Sequence, residues 1–320
     1  MRCYLGIDGG GTKTKFTLCD RRGRVLAEDT RATSHYLQTG LPGLTRVLSE
    51  GLAEVLKQSG GRAEQVASAF VGLSGYGDVA ADDPGIREAV SRALGDIPHG
   101  LGNDSENALA GALAGACGIN LICGTGSIAC GRNPAGAVMR CGGWHHVIGS
   151  DEGSGYWMGV ELLHAFTRQS DGRDPRTPLY GIIRSTLSLN EDDDVITRVV
   201  KDWGADRTKI AALSRLVGEL YARGDPNAGR ILDRAAAELC DMAAALYRRL
   251  GFSGDVAVSY SGGVFNIGMP ILDPLSQKLA ALDMTLCAPK LPPDLGAVVL
   301  AFQHDGMPVP EGLMCRESRI

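Results

Sequence analysis

Within seven residues, Asp8-Gly9-Gly10-Gly11-Thr12-Lys13-Thr14 gathers a carboxylate, three glycines, two hydroxyls and an ammonium group along with its neighbours. Glycine lets backbone N–H groups approach an anion with no side chain in the way, and hydroxyls add donors. A carboxylate alone would repel phosphate, so Asp8 implies a bridging cation, most simply magnesium. The chemistry is that of a nucleotide-phosphate site, with Gly10, Gly11, Thr12, Lys13 and Thr14 as candidate phosphate ligands and Asp8 as the metal ligand. A Walker A loop is excluded, because Thr12 separates Gly11 from Lys13 and the residues that follow are strand-like rather than helical.

Other segments supply what one loop cannot. Gly124-Thr125-Gly126-Ser127 offers backbone donors and two hydroxyls after an apolar strand, the composition of a second phosphate clamp. With Ile128-Ala129 it matches a loose GxGxxA dinucleotide fingerprint, but short β-like residues and Asn133-Pro134 follow where a helix is required. Ser261-Gly262-Gly263-Val264-Phe265 ends another strand, and paired glycines there can let a flat nucleoside lie against the backbone. Asp104 stands where a strand ends and a helix begins. By itself it reads as a capping carboxylate.

These segments need elements to hold them. Apolar runs predict a strand through Tyr4–Ile7, a second over 13–19, a charged turn at Asp20–Gly23 and a returning strand from Gly23 to Ala27. A helix is predicted over 41–59 from Leu44, Val47, Leu48, Leu52, Val55 and Leu56. A buried strand at 66–73, a helix at 86–94, a strand ending at Asp104 and a further helix follow. The grammar then restarts: a strand at 119–123, the glycine turn, and hairpin strands at 128–131 and 135–141. Helices are expected over about 155–170 and 176–250, divided near Gly224-Asp225-Pro226, then a strand at 256–260, a helix at 269–282, a last strand and a last helix.

Composition narrows the class. A chain of 320 residues, 44% hydrophobic and 22% charged, is an ordinary globular protein large enough for two domains. A net charge of −5 argues against nucleic acid as a partner. Residues 107–131 carry no formal charge but contain six glycines and no apolar run of spanning length, so no membrane span is expected. Nine scattered cysteines without a CxxC pair fit small buried hydrophobes in a reducing cytoplasm. Cys130, Cys141, His145 and His146 match no standard zinc spacing.

The order of these motifs resembles a known plan. Asp8–Thr14, Gly124–Ser127 and Ser261–Phe265 are similar to the phosphate-1, phosphate-2 and adenosine motifs of the actin/hexokinase/Hsp70 superfamily. Gly142-Gly143-Trp144-His145, with Gly149-Ser150-Asp151-Glu152-Gly153-Ser154-Gly155, closely resembles the N-acetylglucosamine kinases of the BadF/BadG/BcrA/BcrD-like ATPase family. The resemblance implies an α/β fold of two RNase-H-like (actin/hexokinase-type) domains with a cleft between them. Its boundaries would be 1–115 plus a C-terminal helix at about 296–315, and 116–295 with a helical insertion. It implies ATP- and magnesium-dependent phosphorylation of an amino-sugar 6-hydroxyl. Asp104 would be the general base. Gly11, Thr12 and Lys13 would line the phosphates opposite Gly124, Thr125 and Gly126, with Gly262, Gly263 and Val264 at the nucleoside. Gly143, Trp144 and Asp151 would contact the sugar. The family's usual sugar-binding asparagine is replaced by Ser34, beside His35, which leaves the particular hexosamine open. A homodimer is also left open.

Two other functional classes stand beside this one. Some relatives of the same ATPase family activate a partner redox enzyme through a cysteine-held iron–sulfur cluster, and Cys123 and Cys130 lie near the relevant region. The Asp-Glu-Gly-Ser segment argues against that reading. A non-catalytic nucleotide-binding or sugar-sensing module is the other, and it has no DNA-binding arm to support it.

Overall fold

The computed structural model describes residues 2–314 and contains two compact units. The first runs from the N-terminus to Cys117 and resumes at Ala288, and the second is Gly118–Cys287. In the first unit β1 (Cys3–Gly9), β2 (Lys13–Asp20) and β3 (Val25–Ala32) form an antiparallel meander. Strands β4 (Val66–Leu73) and β5 (His99–Asn103) add to β1 in parallel, giving the order β3-β2-β1-β4-β5. In the second unit β6 (Gly118–Cys123), β7 (Ser127–Arg132) and β8 (Val138–Gly142) repeat the meander, and β9 (Val256–Ser261) and β10 (Met284–Leu286) repeat the parallel pair. The order β10-β9-β6-β7-β8 is therefore the same topology met twice.

Strand alternation distributes the first sheet's side chains to two helical layers. Cys3, Leu5 and Ile7 join a core with Leu44, Leu48 and Val55 of α1 (Tyr36–Ser59) and Ile86 and Val90 of α2 (Asp83–Leu94). Tyr4 points the other way, into a core with Val298, Val299 and Phe302 of α11 (Pro293–His304), whose neighbour is α3 (Asp104–Ala112). Gly6 shares that second face, where a Cβ would come within 2.5 Å of the Val298 amide. The glycine lets α11 lie directly on β1.

The helix expected over 41–59 begins earlier, because a first turn at Tyr36–Thr39 is joined to it through Gly40, whose φ of 68° and ψ of 168° are not helical. The long helical stretch expected over 176–250 is cut into α5 (Pro178–Leu187), α6 (Asp194–Ile196), a wide turn at Thr197–Asp202, α7 (Arg207–Ala212), α8 (Arg215–Ala222) and α9 (Pro226–Arg249). Left-handed residues Ser188 (φ 54°) and Ala205 (φ 54°) accompany two of the breaks. Helix α9 packs over the second sheet, with α4 (Gly155–Ser170) and α10 (Met269–Ala280) beside α9. The last helix, expected to run to about 315, is two pieces, α11 and the single turn α12 (Glu311–Met314); residue 315 lies outside the described residues.

Candidate active site

The β1–β2 turn is closed by a hydrogen bond from the Gly10 amide to the Lys13 carbonyl at 3.0 Å. Three glycine carbonyls here are engaged by other segments of the unit. The Ser74 amide donates to Gly9, the Thr33 hydroxyl to Gly10 and the Gln38 amide group to Gly11, at 2.7, 2.9 and 3.0 Å. Lone pairs that would repel a phosphate are thereby occupied. Gly11, Thr12 and Lys13 remain exposed, and a Cβ at Gly11 would meet nothing within 4 Å. That open cradle suits an anion received by backbone amides.

Asp8 stands at the end of β1 on the face that carries α3. Its Oδ1 accepts a hydrogen bond from the Asn107 amide group at 2.9 Å, and the same nitrogen donates to the Ile7 carbonyl at 3.1 Å. Burial pushes the Asp8 carboxyl up to about 6, with Asp294 adding to it and Asn107, Lys13 and Lys15 opposing. The ionised form therefore costs the fold above that pH, and a cation alongside would relieve the cost. Asn107 is fully buried and its Oδ1 has no hydrogen-bond partner. A carboxylate beside an unsatisfied amide oxygen is a hard-oxygen donor set that fits magnesium carrying its own waters. Among the described residues no group of three or more His, Cys, Asp or Glu could hold a metal.

Asp104 is the first residue of α3 and half-buried. The capping duty belongs to its neighbours: Asn103 Oδ1 accepts from the Ser105 amide at 3.1 Å, and Glu106 accepts from the Asn103 amide at 3.0 Å. Asp104 follows the N-cap as an acidic residue of the first turn. Two expected ligands of this unit turn inward instead. Thr14 is fully buried and its hydroxyl donates to Ser34 Oγ at 2.9 Å, while Ser34 is itself 1% exposed. The Thr14 hydroxyl thus meets Ser34 behind the turn. His35 stays half-exposed, caps α1 by accepting from the Leu37 amide, and packs against Gly75.

The second unit repeats the device. The Gly155 amide donates to the Gly124 carbonyl and the Tyr156 amide to the Thr125 carbonyl, at 2.8 and 3.1 Å, so the start of α4 ties back the β6–β7 turn. Thr125 is exposed, and a Cβ at Gly124 would meet nothing within 4 Å. Ser127 is buried and its hydroxyl donates to the Glu152 carbonyl at 2.7 Å. Asp151, 2% exposed with φ 73°, accepts from the Ser127 amide at 3.2 Å and is ion-paired to Arg207. Gly143 and Trp144 are exposed, Trp144 at 75%, and the Trp144 amide donates to Ser150 Oγ at 3.2 Å. Gly262 (φ 104°) lies so close to the Cys123 backbone that no side chain fits, and Gly263 is open. Val264 is 4% exposed and belongs to the core.

Asn107, Gln38, Ser74 and Arg207 were missed by sequence reasoning. Asn107 had a signal, since i and i+3 share a helix face and Asp104 is three residues before it. Nothing local marks Arg207, which lies 56 positions from its partner.

Two α/β units, each built on a meander with a glycine turn and a parallel pair, define the two-domain fold of the actin/hexokinase-like sugar kinases. The chain belongs to the BadF/BadG/BcrA/BcrD ATPase family, whose profile matches residues 5–301. It is 36% identical over 268 residues to an N-acetylmuramic acid/N-acetylglucosamine kinase of Clostridium acetobutylicum, covering 83% of this chain and 86% of that one. It is 31% identical over 316 residues to an N-acetyl-D-glucosamine kinase of Dictyostelium discoideum, covering 93% and 97%. A solved structure from Chromobacterium violaceum, provisionally described as an N-acetylglucosamine kinase, superposes with a TM-score of 0.74 at 28% identity over 94% of this chain and 99% of that one.

Proposed function

We propose that the protein is an ATP-dependent kinase that phosphorylates the 6-hydroxyl of an amino sugar, N-acetylglucosamine or a related hexosamine. The observation that carries this reading is Asp104, a carboxylate that opens α3 three residues before Asn107, the residue that holds Asp8. Phosphoryl transfer needs little covalent help from protein; it needs positioning, charge neutralisation and a base for the attacking hydroxyl. Asp104 accepts that proton as the oxygen attacks. Amides of the exposed Gly11–Lys13 turn and of Gly124–Gly126 receive the phosphates, with Thr12, Lys13 and Thr125 as side-chain donors. Asp8 and Asn107 would hold magnesium through water, and the ion when bound neutralises phosphate charge. Gly262 and Gly263 offer the nucleoside a side-chain-free surface. His35, Gly143 and Trp144 are the exposed candidates for the sugar. Cys123 and Cys130 are fully buried, and the Cys123 thiol donates to the Gly153 carbonyl, so no observation favours the redox-activator alternative.

The test is ADP release with magnesium-ATP against hexoses, glucosamine, N-acetylglucosamine and N-acetylmuramate, with the product's phosphate located by NMR. Turnover on an amino sugar at the 6-position is expected. Silence across the panel together with sugar-independent ATP hydrolysis would refute the kinase reading.

A further inference from the structure

The second unit has a groove between α9 and α10, closed at one end by Tyr221 of α8, with a volume of about 390 Å³. That is the size of a site for a small molecule. Tyr221 and Met269 stand at its lips, 46% and 60% exposed, so two large apolar groups meet water at one place. The floor is kept open. Gly229 of α9 lines it, and a Cβ there would meet nothing within 4 Å. No neighbour demands glycine at this position, and glycine is a poor helix former.

The polar lining is rich in acceptors and carries one uncompensated charge. Pro270, Asp273 and Gln277 line the groove from one face of α10. Pro274, on the same wall, has no N–H to give to the Pro270 carbonyl one turn earlier. Asp233 of the facing helix is paired with Lys278 at 2.9 Å, whereas Asp273 has no ion-pair partner among the described residues. An ammonium group matches this lining. Its three N–H donors suit the Asp273 carboxylate, the Gln277 side-chain carbonyl and the Pro270 carbonyl, and its charge is attracted to the Tyr221 ring. An apolar stem then lies over Met269 and the space at Gly229.

We propose that this groove binds a small primary alkylammonium. A volume at the small end of ligand pockets suits a free amine rather than a partner chain. Helix α10 begins directly after the Gly262–Gly268 turn that offers the nucleoside its surface, so the amine acts as an effector of nucleotide binding. That effect rests on the kinase reading; the binding of the amine does not.

The test uses the full chain labelled at its methionine methyl groups, with the Met269 resonance assigned through Met269→Leu. Hexylammonium should shift that resonance saturably, with a dissociation constant of about a millimolar. Hexanol, which has the stem without the charge, should not bind, and trimethylhexylammonium, which has the charge without N–H donors, should bind more weakly. Asp273→Asn should weaken hexylammonium by about ten-fold, and Gly229→Leu, which fills the floor without a clash, should abolish binding. Both variants should melt as wild type does. Saturating hexylammonium should change the affinity for a magnesium-bound imido analogue of ATP by about five-fold in wild type and leave it unchanged in Gly229→Leu. No saturable shift would overturn the site, and equal binding of hexanol or of the Asp273→Asn variant would overturn the ammonium assignment. A lysine tripeptide that binds more tightly than hexylammonium would overturn the free amine in favour of a protein partner. Amine binding with unchanged analogue affinity would overturn the effector role. Wild-type protein that binds the amine but no analogue would overturn the kinase reading and leave the groove standing.

Discussion

Asp104 and Asp8 share the α3 side of the first sheet but face opposite chemical demands. As the proposed base Asp104 would have to be ionised, whereas burial holds Asp8 up to about 6 and a cation beside it would offset that cost. Asp104→Asn keeps the shape and removes the base, so turnover should fall by about 10²–10⁴-fold while the ATP analogue still binds. Asn107→Ala removes the amide that serves both Ile7 and Asp8. It should cost about 1–3 kcal/mol, read from a urea midpoint, and raise the magnesium concentration needed for half-maximal rate. A different carboxylate contributes to the acid dependence of stability. Asp225 caps α9 and is 2% exposed. Burial alone would raise its carboxyl, but donors from Thr177, Leu179 and Asn227 outweigh that and hold it below its ordinary value of 3.8. A depressed native value means the unfolded chain takes up the proton first, so its stabilisation is complete above about pH 4 and fades as pH falls further. Asp225→Ala should cost about 2–3 kcal/mol at neutral pH and flatten that acid dependence in thermal melts.

At the scale of elements, glycines decide which helices can reach which strands. Gly6 on β1 meets α11, Gly296 on α11 meets the Asn107 carbonyl of α3, and Gly111 on α3 meets the Pro292 carbonyl. These three contacts lock β1, α3 and α11 into one layer, and that layer carries Asp8, Asn107 and Asp104. Gly296→Ala should push α11 away from α3 at a cost of about 1–3 kcal/mol, with activity falling further than stability alone explains. The elements were largely legible in the sequence. Both meanders, their glycine turns and the helices at 86–94 and 155–170 follow from periodicity and turn residues within a short window. The interruptions between 187 and 226 were not legible. They depend on left-handed residues such as Ser188 and Ala205, whose types do not demand that conformation.

For the molecule as a whole, the first unit is discontinuous, because its second helical layer arrives only after Ala288. Tyr4, Phe70 and Cys19 are covered by Val298, Val299 and Phe302. A chain ending before Ala288 should leave that apolar face bare and fail to fold the first unit, visible as dye binding to exposed hydrophobic surface and loss of a cooperative melt. Among the described residues no helix is long and apolar enough to cross a membrane. By itself the sequence determined the repeated strand–turn–strand plan, the places of the glycine turns and the family, because these rest on local periodicity and on glycines at fixed offsets. Only the tertiary structure decided which polar groups face outward. Thr14 meets Ser34 across 20 positions, Asp8 meets Asn107 across 99, and Asp151 meets Arg207 across 56. A side chain at a turn is directed by whatever packs behind it, and those partners come from distant segments that spacing along the chain does not reveal.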